Sequence, residues 1–185
     1  MAYHGVLIPE AIAASTIDSL VRSVVDAADV DNGNVFVMGA RSTTAGLPEV
    51  FEISVPLTGA TTLGNLWMAY SGDEIVVTDS KYKGLDPDVR NFYNAAGKVF
   101  SAYKPQVGDI IMLTADAILD AYDAGNDLFI VAANSSWELQ WSTTNPGTGL
   151  TYALLGVKYI SLATGGIDSQ RVAAYEFECI ATYAV

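Results

Sequence analysis

Gly97-Lys98-Val99-Phe100-Ser101-Ala102-Tyr103-Lys104-Pro105-Gln106-Val107-Gly108-Asp109-Ile110-Ile111-Met112-Leu113-Thr114 is the stretch that sets the plan of this chain. Lys98 to Tyr103 alternates, with Val99, Ser101 and Tyr103 on one face, as a half-buried strand does. Pro105 and Gly108 punctuate a polar turn, because proline fixes φ and glycine accepts positive φ. Ile110 to Leu113 is apolar without interruption, the pattern of a strand covered on both faces. Lys98 and Asp109 read as exposed or paired charges. Gly97-Lys98 lacks the upstream glycine of a phosphate-binding loop.

The flanks, from Asn91 back and on to Asp120, suggest two short helices. Val89 to Ala96 fits one or two turns closed by Gly97. Thr114 has the chemistry of an N-cap, Asp116 suits the positive end of a helix dipole, and Ile118, Leu119 and Tyr122 are helically spaced up to Gly125.

Elsewhere the chain reads as β. Phe51, Ile53, Val55 and Leu57 alternate with Glu52, Ser54 and Pro56, so one face is buried and the proline marks an edge or bulge. Asn65 to Tyr70 carries Trp67, and Ile75-Val76-Val77 is a third short run. Leu128 to Val131 reads as a buried strand. Trp137, Leu139 and Trp141 share a face, and Asn145-Pro146-Gly147 has type II turn chemistry. Tyr152 to Ala163 is a long strand. From Arg171 to Val185, Tyr175, Phe177, Cys179, Ala181 and Tyr183 share a face opposite Glu176 and Glu178. Asn32-Gly33, between apolar runs, is a hairpin signal.

The sum is a compact, mainly β chain with one or two short helices, sandwich or barrel-like, with an extended N-terminal arm. Residues 1–18 form the arm. Residues 19–185 form one β-rich domain, either undivided or in two lobes meeting near 125–135.

Composition limits the function classes. Nine basic against 21 acidic residues give a formal charge of −12. Nucleic-acid binding relies on Lys and Arg neutralising phosphates, and an anionic membrane makes the same demand, so neither partner is expected. Apolar residues are 51% of the chain, charged residues only 16%, and mean hydropathy is +0.29. That balance favours a chain with part of its apolar surface against other subunits. No apolar run is long enough for a membrane span. Met1 to Glu10 has no basic segment of the kind that opens a signal peptide, and Cys179 alone cannot form an internal disulfide, so cytoplasmic synthesis is expected.

Catalytic, cofactor and metal sites are all expected to be absent. The single histidine, His4, sits in the expected arm, a poor place to hold a general base. Asp29-x-Asp31-x-Gly33 places its glycine too early for a calcium loop and Ala40 where the last acid belongs. Asp86-x-Asp88 reads as a turn before a helix. Glu176 and Glu178 share a strand face at roughly 7 Å, a spacing some glycosidases use, but the simpler reading is a solvated face. Trp67, Trp137 and Trp141 read as core or interface rather than a glycan platform.

Asp31-Asn32-Gly33-Asn34-Val35, Glu49-Val50-Phe51, Leu66-Trp67-Met68, Gly97 to Tyr103 and Val107-Gly108-Asp109-Ile110 occur in this order. The set resembles small proteins encoded beside the major capsid protein in tailed bacteriophages, the head auxiliary, decoration or cement proteins. The resemblance covers about residues 20 to 131. It implies a structural virion protein, made in the bacterial host cytoplasm and placed on the capsid exterior. Its partners would be the major capsid protein and copies of itself, with a trimer suiting a lattice. The alternatives are another virion component (tail, connector or head fibre) or a glycan-binding module. The apolar start of the arm, Tyr3, Val6, Leu7 and Ile8, is the expected docking segment.

Overall fold

A computed structural model describes residues 3–43, 46–57, 65–71, 88–133, 135–147, 149–162 and 170–182. It is mainly β, as the alternation implies, and its strands form a closed five-stranded barrel and a seven-stranded sheet. The expected run Ile75-Val76-Val77 and Asp86 lie outside the described residues.

The barrel is continuous in sequence. It comprises β2 (Val21–Val25), β3 (Val35–Arg41), β4 (Phe51–Ser54), β5 (Leu66–Ala69) and β6 (Phe100–Tyr103), in the order β2-β4-β3-β5-β6. A short parallel pairing, Val24 with Phe51 and Val25 with Glu52, closes it. The sheet takes strands from both ends of the chain. It comprises β1 (Leu7–Ala11), β7 (Ile110–Thr114), β8 (Ile118–Leu119), β9 (Phe129–Ala132), β10 (Leu139–Ser142), β11 (Thr151–Leu162) and β12 (Gln170–Ala181), in the order β1-β7-β12-β11-β9-β10-β8.

Period-two patterning explains how the two layers meet. Val24, Phe36, Ile53, Trp67, Ala69, Phe100 and Ala102 fill the barrel. Their neighbours Val35, Leu66, Met68 and Tyr103 point out of the barrel wall, into a second core with Leu7, Ile111, Leu113, Ile130, Leu139, Tyr152, Phe177 and Cys179 of the sheet. Strands β3 and β5 are therefore apolar on both faces, and β6 is so at Tyr103 but not at the exposed Ser101. In β4, Phe51 and Ile53 turn towards the barrel core while Glu52 and Ser54 are exposed, so that wall faces solvent.

The stretch Gly97 to Thr114 is the junction between these layers. Its two strands lie in different sheets, β6 in the barrel and β7 in the sheet, so residues 104–109 form a crossover rather than a hairpin turn. Asp109, expected at the surface or in an ion pair, is buried there. Its carboxylate accepts hydrogen bonds from the amides of Ala13 (2.9 Å) and Gln106 (2.8 Å). Cys179 N–H donates to Asp109 O and Gly108 N–H to Cys179 O, both at 2.8 Å. The chain thus passes from barrel to sheet at 104–109, and a shared core joins the two.

Both expected helices shorten to single 3₁₀ turns. Val89–Asn91 is capped by the Asp88 carboxylate, which accepts from Arg90 N–H. The turn stops there because Asn94 exchanges two backbone hydrogen bonds with Val30, an extended pairing. At the second site the Thr114 hydroxyl accepts from Val6 N–H instead of capping, and Ala115–Ala117 gives way to Ile118, which pairs with Leu139 in β10. Local helix propensity yields to tertiary strand pairing at both places.

The Asn32-Gly33 turn forms, with Gly33 at φ 92° and Asn34 N–H bonded to Asp31 O, yet the strands it joins are not partners. β2 pairs with β4 and β6, and β3 with β4 and β5. A Cβ on Gly33 would displace the Leu113 Cδ2 methyl, 2.7 Å away, but it is the positive φ that calls for glycine here.

The expected N-terminal arm is part of the fold. β1 pairs with β7 through Leu7 with Leu113, Ile8 with Met112 and Pro9 with Ile111. Leu7 is 1% exposed and Val6 3%. Burying two such side chains stabilises the chain by roughly 1.5–3 kcal/mol each. Val6 and Leu7 are thus buried within the chain's own fold.

Candidate interaction surface

Arg90 clasps the start of the chain. It is buried with Asp88 in an ion pair of 2.6 Å, its guanidinium lies 3.6 Å from the centroid of the Tyr3 ring, and its carbonyl accepts from His4 N–H. Burial works against ionisation of Asp88, but the hydrogen bonds from Arg90 win and hold its pKa below the usual carboxylate value. His4 Nδ1 lies 2.8 Å from Asp31 Oδ1, and its ring packs on Tyr93 at 4.7 Å. Of the four expected docking residues, Tyr3, Val6, Leu7 and Ile8, only Tyr3 is exposed, at the rim of this clasp.

The other sequence candidates are scattered. Asp29 accepts from Ala96 N–H, while Asp31 holds His4 and Gly5 N–H, so the two acids of the calcium-like pattern serve different partners. Among the described residues no group of three or more His, Cys, Asp and Glu could hold a metal ion. Glu176 pairs with Lys158 at 3.2 Å. A hydrogen bond with Glu176 raises the pKa of nearby Glu10, and burial adds to the rise. The pKa of Glu138 is also raised, by burial first and then by Asp31 and Asp120. Cys179 is buried, and burial pushes its thiol up to about 12, so it is unreactive. Trp67 is inside the barrel and Trp137 packs against that core. Trp141 sits among Tyr122, Tyr175 and Phe177, with ring centroids 4.9–6.4 Å apart across the cluster. The tryptophans are packing groups.

The surface that stands out is the far half of the β11–β12 hairpin. Each strand runs for 12 residues, but their neighbours are short. β9 flanks β11 only over Thr151–Ala153, and β7 flanks β12 only over Ala174–Glu178. Among the described residues the two strands pair only with each other over Tyr159–Leu162 and Gln170–Ala173, about 13 Å of strand, while Val157 still sits opposite a residue that β7 flanks.

A bulge at Leu155 decides which side chains face which way. Before it, Tyr152 and Leu154 sit opposite Cys179 and Phe177 on the core face. After it, Val157 and Tyr159 sit opposite Tyr175 and Ala173, so the odd-numbered residues inherit that face. The apolar row that packs on the barrel therefore continues past the barrel. Leu155 is 49%, Val157 44% and Tyr159 58% exposed. Arg171 lies over the Tyr159 ring at 5.0 Å. Tyr175 and Ala173 on this face still pack on the core, but Val157 and Tyr159 beside them are left exposed, and exposed apolar rows of this kind mark interaction sites. Its strand edges, unpaired among the described residues, carry backbone groups that another chain can satisfy.

Sequence reasoning saw the length of these strands but not their reach. The available signal was the disparity between two 12-residue runs and partners of four or five residues. No described helix is long and apolar enough to cross a membrane. Comparison of the chain with protein-family models, with curated proteins and with solved structures returned no match in any of the three.

Proposed function

We propose that the chain is a structural virion protein of a tailed bacteriophage, bound to the exterior of the assembled capsid as a decoration or cement protein that stabilises the head. The observation that carries this reading is the far half of the β11–β12 hairpin, whose exposed Val157 and Tyr159 extend a core face into solvent. Such a face gains free energy only when another protein covers it. The ordered set of short sequence motifs supplies the class of assembly, and the acidic, apolar composition suits a chain that works among subunits. Many copies on a lattice make modest contacts sufficient, because each engagement raises the effective concentration for the next.

The test is binding to capsids that lack the protein. Purified chain is mixed with such shells, pelleted, and imaged by electron cryomicroscopy. Density at symmetry-related positions on the outer surface is the expected result. Absence of binding, or density confined to the tail or connector of intact particles, would overturn it.

A further inference from the structure

Strand pairing gives the barrel a defined wiring. β5 runs antiparallel to β6 and β3, β6 to β2, and β3 to β4, while β2 and β4 are parallel. Taken in the order β5, β6, β2, β3, β4, these partners and directions are those of the five-stranded Greek-key barrel that binds oligonucleotides and oligosaccharides. This chain enters the ring at the strand that is third in that order, so its barrel is a circular permutant. The ends freed by the permutation are where the sheet attaches. Residues 13–20 lead from β1 into β2, and the crossover at 104–109 leads from β6 into β7.

Barrels of this wiring hold ligands on the outer face of their second and third strands. Here those strands are β6 and β2, and a cleft of about 420 Å³ lies against them. Val24, Phe100 and Ala102 point into the barrel, so Val21, Ser101 and Tyr103, of opposite parity, face the cleft. Tyr70 stands edge-on to Tyr103, their ring centroids 6.3 Å apart, and the end of β1 with the turn at 13–15 forms the facing wall. The size falls within the roughly 300–1,000 Å³ of small-ligand clefts.

The lining separates the two ligand classes. It contains no Lys or Arg, and its one charged residue, Glu10, is an acid that hydrogen-bonds with Glu176. A phosphate backbone would find nothing there to neutralise it, on a chain whose formal charge is already −12. What the cleft offers is neutral. Tyr70 and Tyr103 give an apolar flank, the Tyr103 hydroxyl being tied to Met68 Sδ at 3.2 Å. Ser15, Ser101 and Tyr70 bring hydroxyls, and Ser15 Oγ, which donates to Ile12 O, still accepts. A pyranose suits this combination, because its C–H face packs on an aromatic ring while its hydroxyls exchange hydrogen bonds with uncharged groups.

We infer that the cleft on the outer face of β6 and β2 binds a neutral oligosaccharide, with Tyr70 as the stacking ring and Ser15 and Ser101 as hydrogen-bonding contacts. The cleft shares no residue with the far half of the β11–β12 hairpin, so glycan binding and attachment to a capsid are independent properties.

A glycan array probed with the purified protein tests it, followed by calorimetric titration with malto-, cello- and chito-oligosaccharides. At least one neutral series should bind, and high salt should leave the affinity unchanged because the ligand carries no charge to screen. Tyr70→Ala should weaken binding at least about tenfold. Ser101→Trp, on an exposed position of β6, should fill the cleft and abolish binding, and circular dichroism would confirm that both variants are folded. No binding to any neutral oligosaccharide, affinity indifferent to Ser101→Trp, or a preference for single-stranded DNA would overturn the inference. Capsid pelleting separates it from the virion role. Ser101→Trp protein should coat capsids as the wild type does; loss of coating would make the cleft a capsid contact and overturn the glycan site. Glycan binding by a protein that coats no capsid would leave this site standing and remove the virion reading.

Discussion

The two halves of the β11–β12 hairpin share one strand pair and one alternation, yet they live in different environments. In the near half, Tyr152, Phe177 and Cys179 are fully buried against the barrel. In the far half, Val157 and Tyr159 continue the same face into solvent. The difference comes from what lies beneath and beside the strands. The near half therefore governs stability, while the far half leaves its apolar side chains to solvent.

Four variants would break or sharpen that contrast. Phe177→Ala should cost the most, about 3–5 kcal/mol, because it opens a cavity where sheet meets barrel; chemical denaturation would measure it. Asp109→Ala should cost about 1–3 kcal/mol, since it strands the amides of Ala13 and Gln106 beside the near half. A smaller loss in the same assay would mean that water replaces the carboxylate. Val157→Ser with Tyr159→Ser should change monomer stability by no more than about 0.5 kcal/mol. A large drop in the melting temperature of that pair would make the far half part of the core.

The smallest effect concerns pH at the junction of the two halves, where Glu10, Glu176 and Lys158 meet. The folded chain raises the pKa of Glu10 above its ordinary 4.5, chiefly through the hydrogen bond with Glu176. A raised pKa means that the folded state holds the proton more tightly than the unfolded state. Its contribution is complete below 4.5 and is lost as pH rises through the folded value. Glu10→Gln should flatten the stability curve just above 4.5, and an unchanged curve would assign the dependence elsewhere. The group is almost wholly solvated, so the effect is slight.

Much of the β architecture was legible because period two survives in single strands. Phe51 to Ser54, Leu66 to Ala69, Ile110 to Leu113 and Tyr175 to Cys179 form the strands their patterns imply. Partner choice was not legible. The Asn32-Gly33 turn looks the same whether its flanking strands pair with each other or, as here, with β4, β5 and β6. Likewise, Val6 and Leu7 are as apolar in a docking arm as in an edge strand; only Leu113 and Thr114, more than 100 residues away, decide between them. The Thr114 hydroxyl could cap a helix or accept from Val6, and nothing local discriminates. The far-half surface was hidden for the same reason, since exposure of Tyr159 depends on where β9 and β7 stop.

The order in which the layers occur along the chain has a consequence for synthesis. β2 to β6 emerge from the ribosome as an unbroken run, so the barrel can close while translation continues. β1 is made earlier but finds its partner only when β7 follows the crossover at 104–109. Until then Val6, Leu7 and Ile8 wait uncovered on a nascent chain, and contacts of such sequence separation form late and slowly. The segment that is safest in the finished molecule is thus the one most exposed to aggregation during its making.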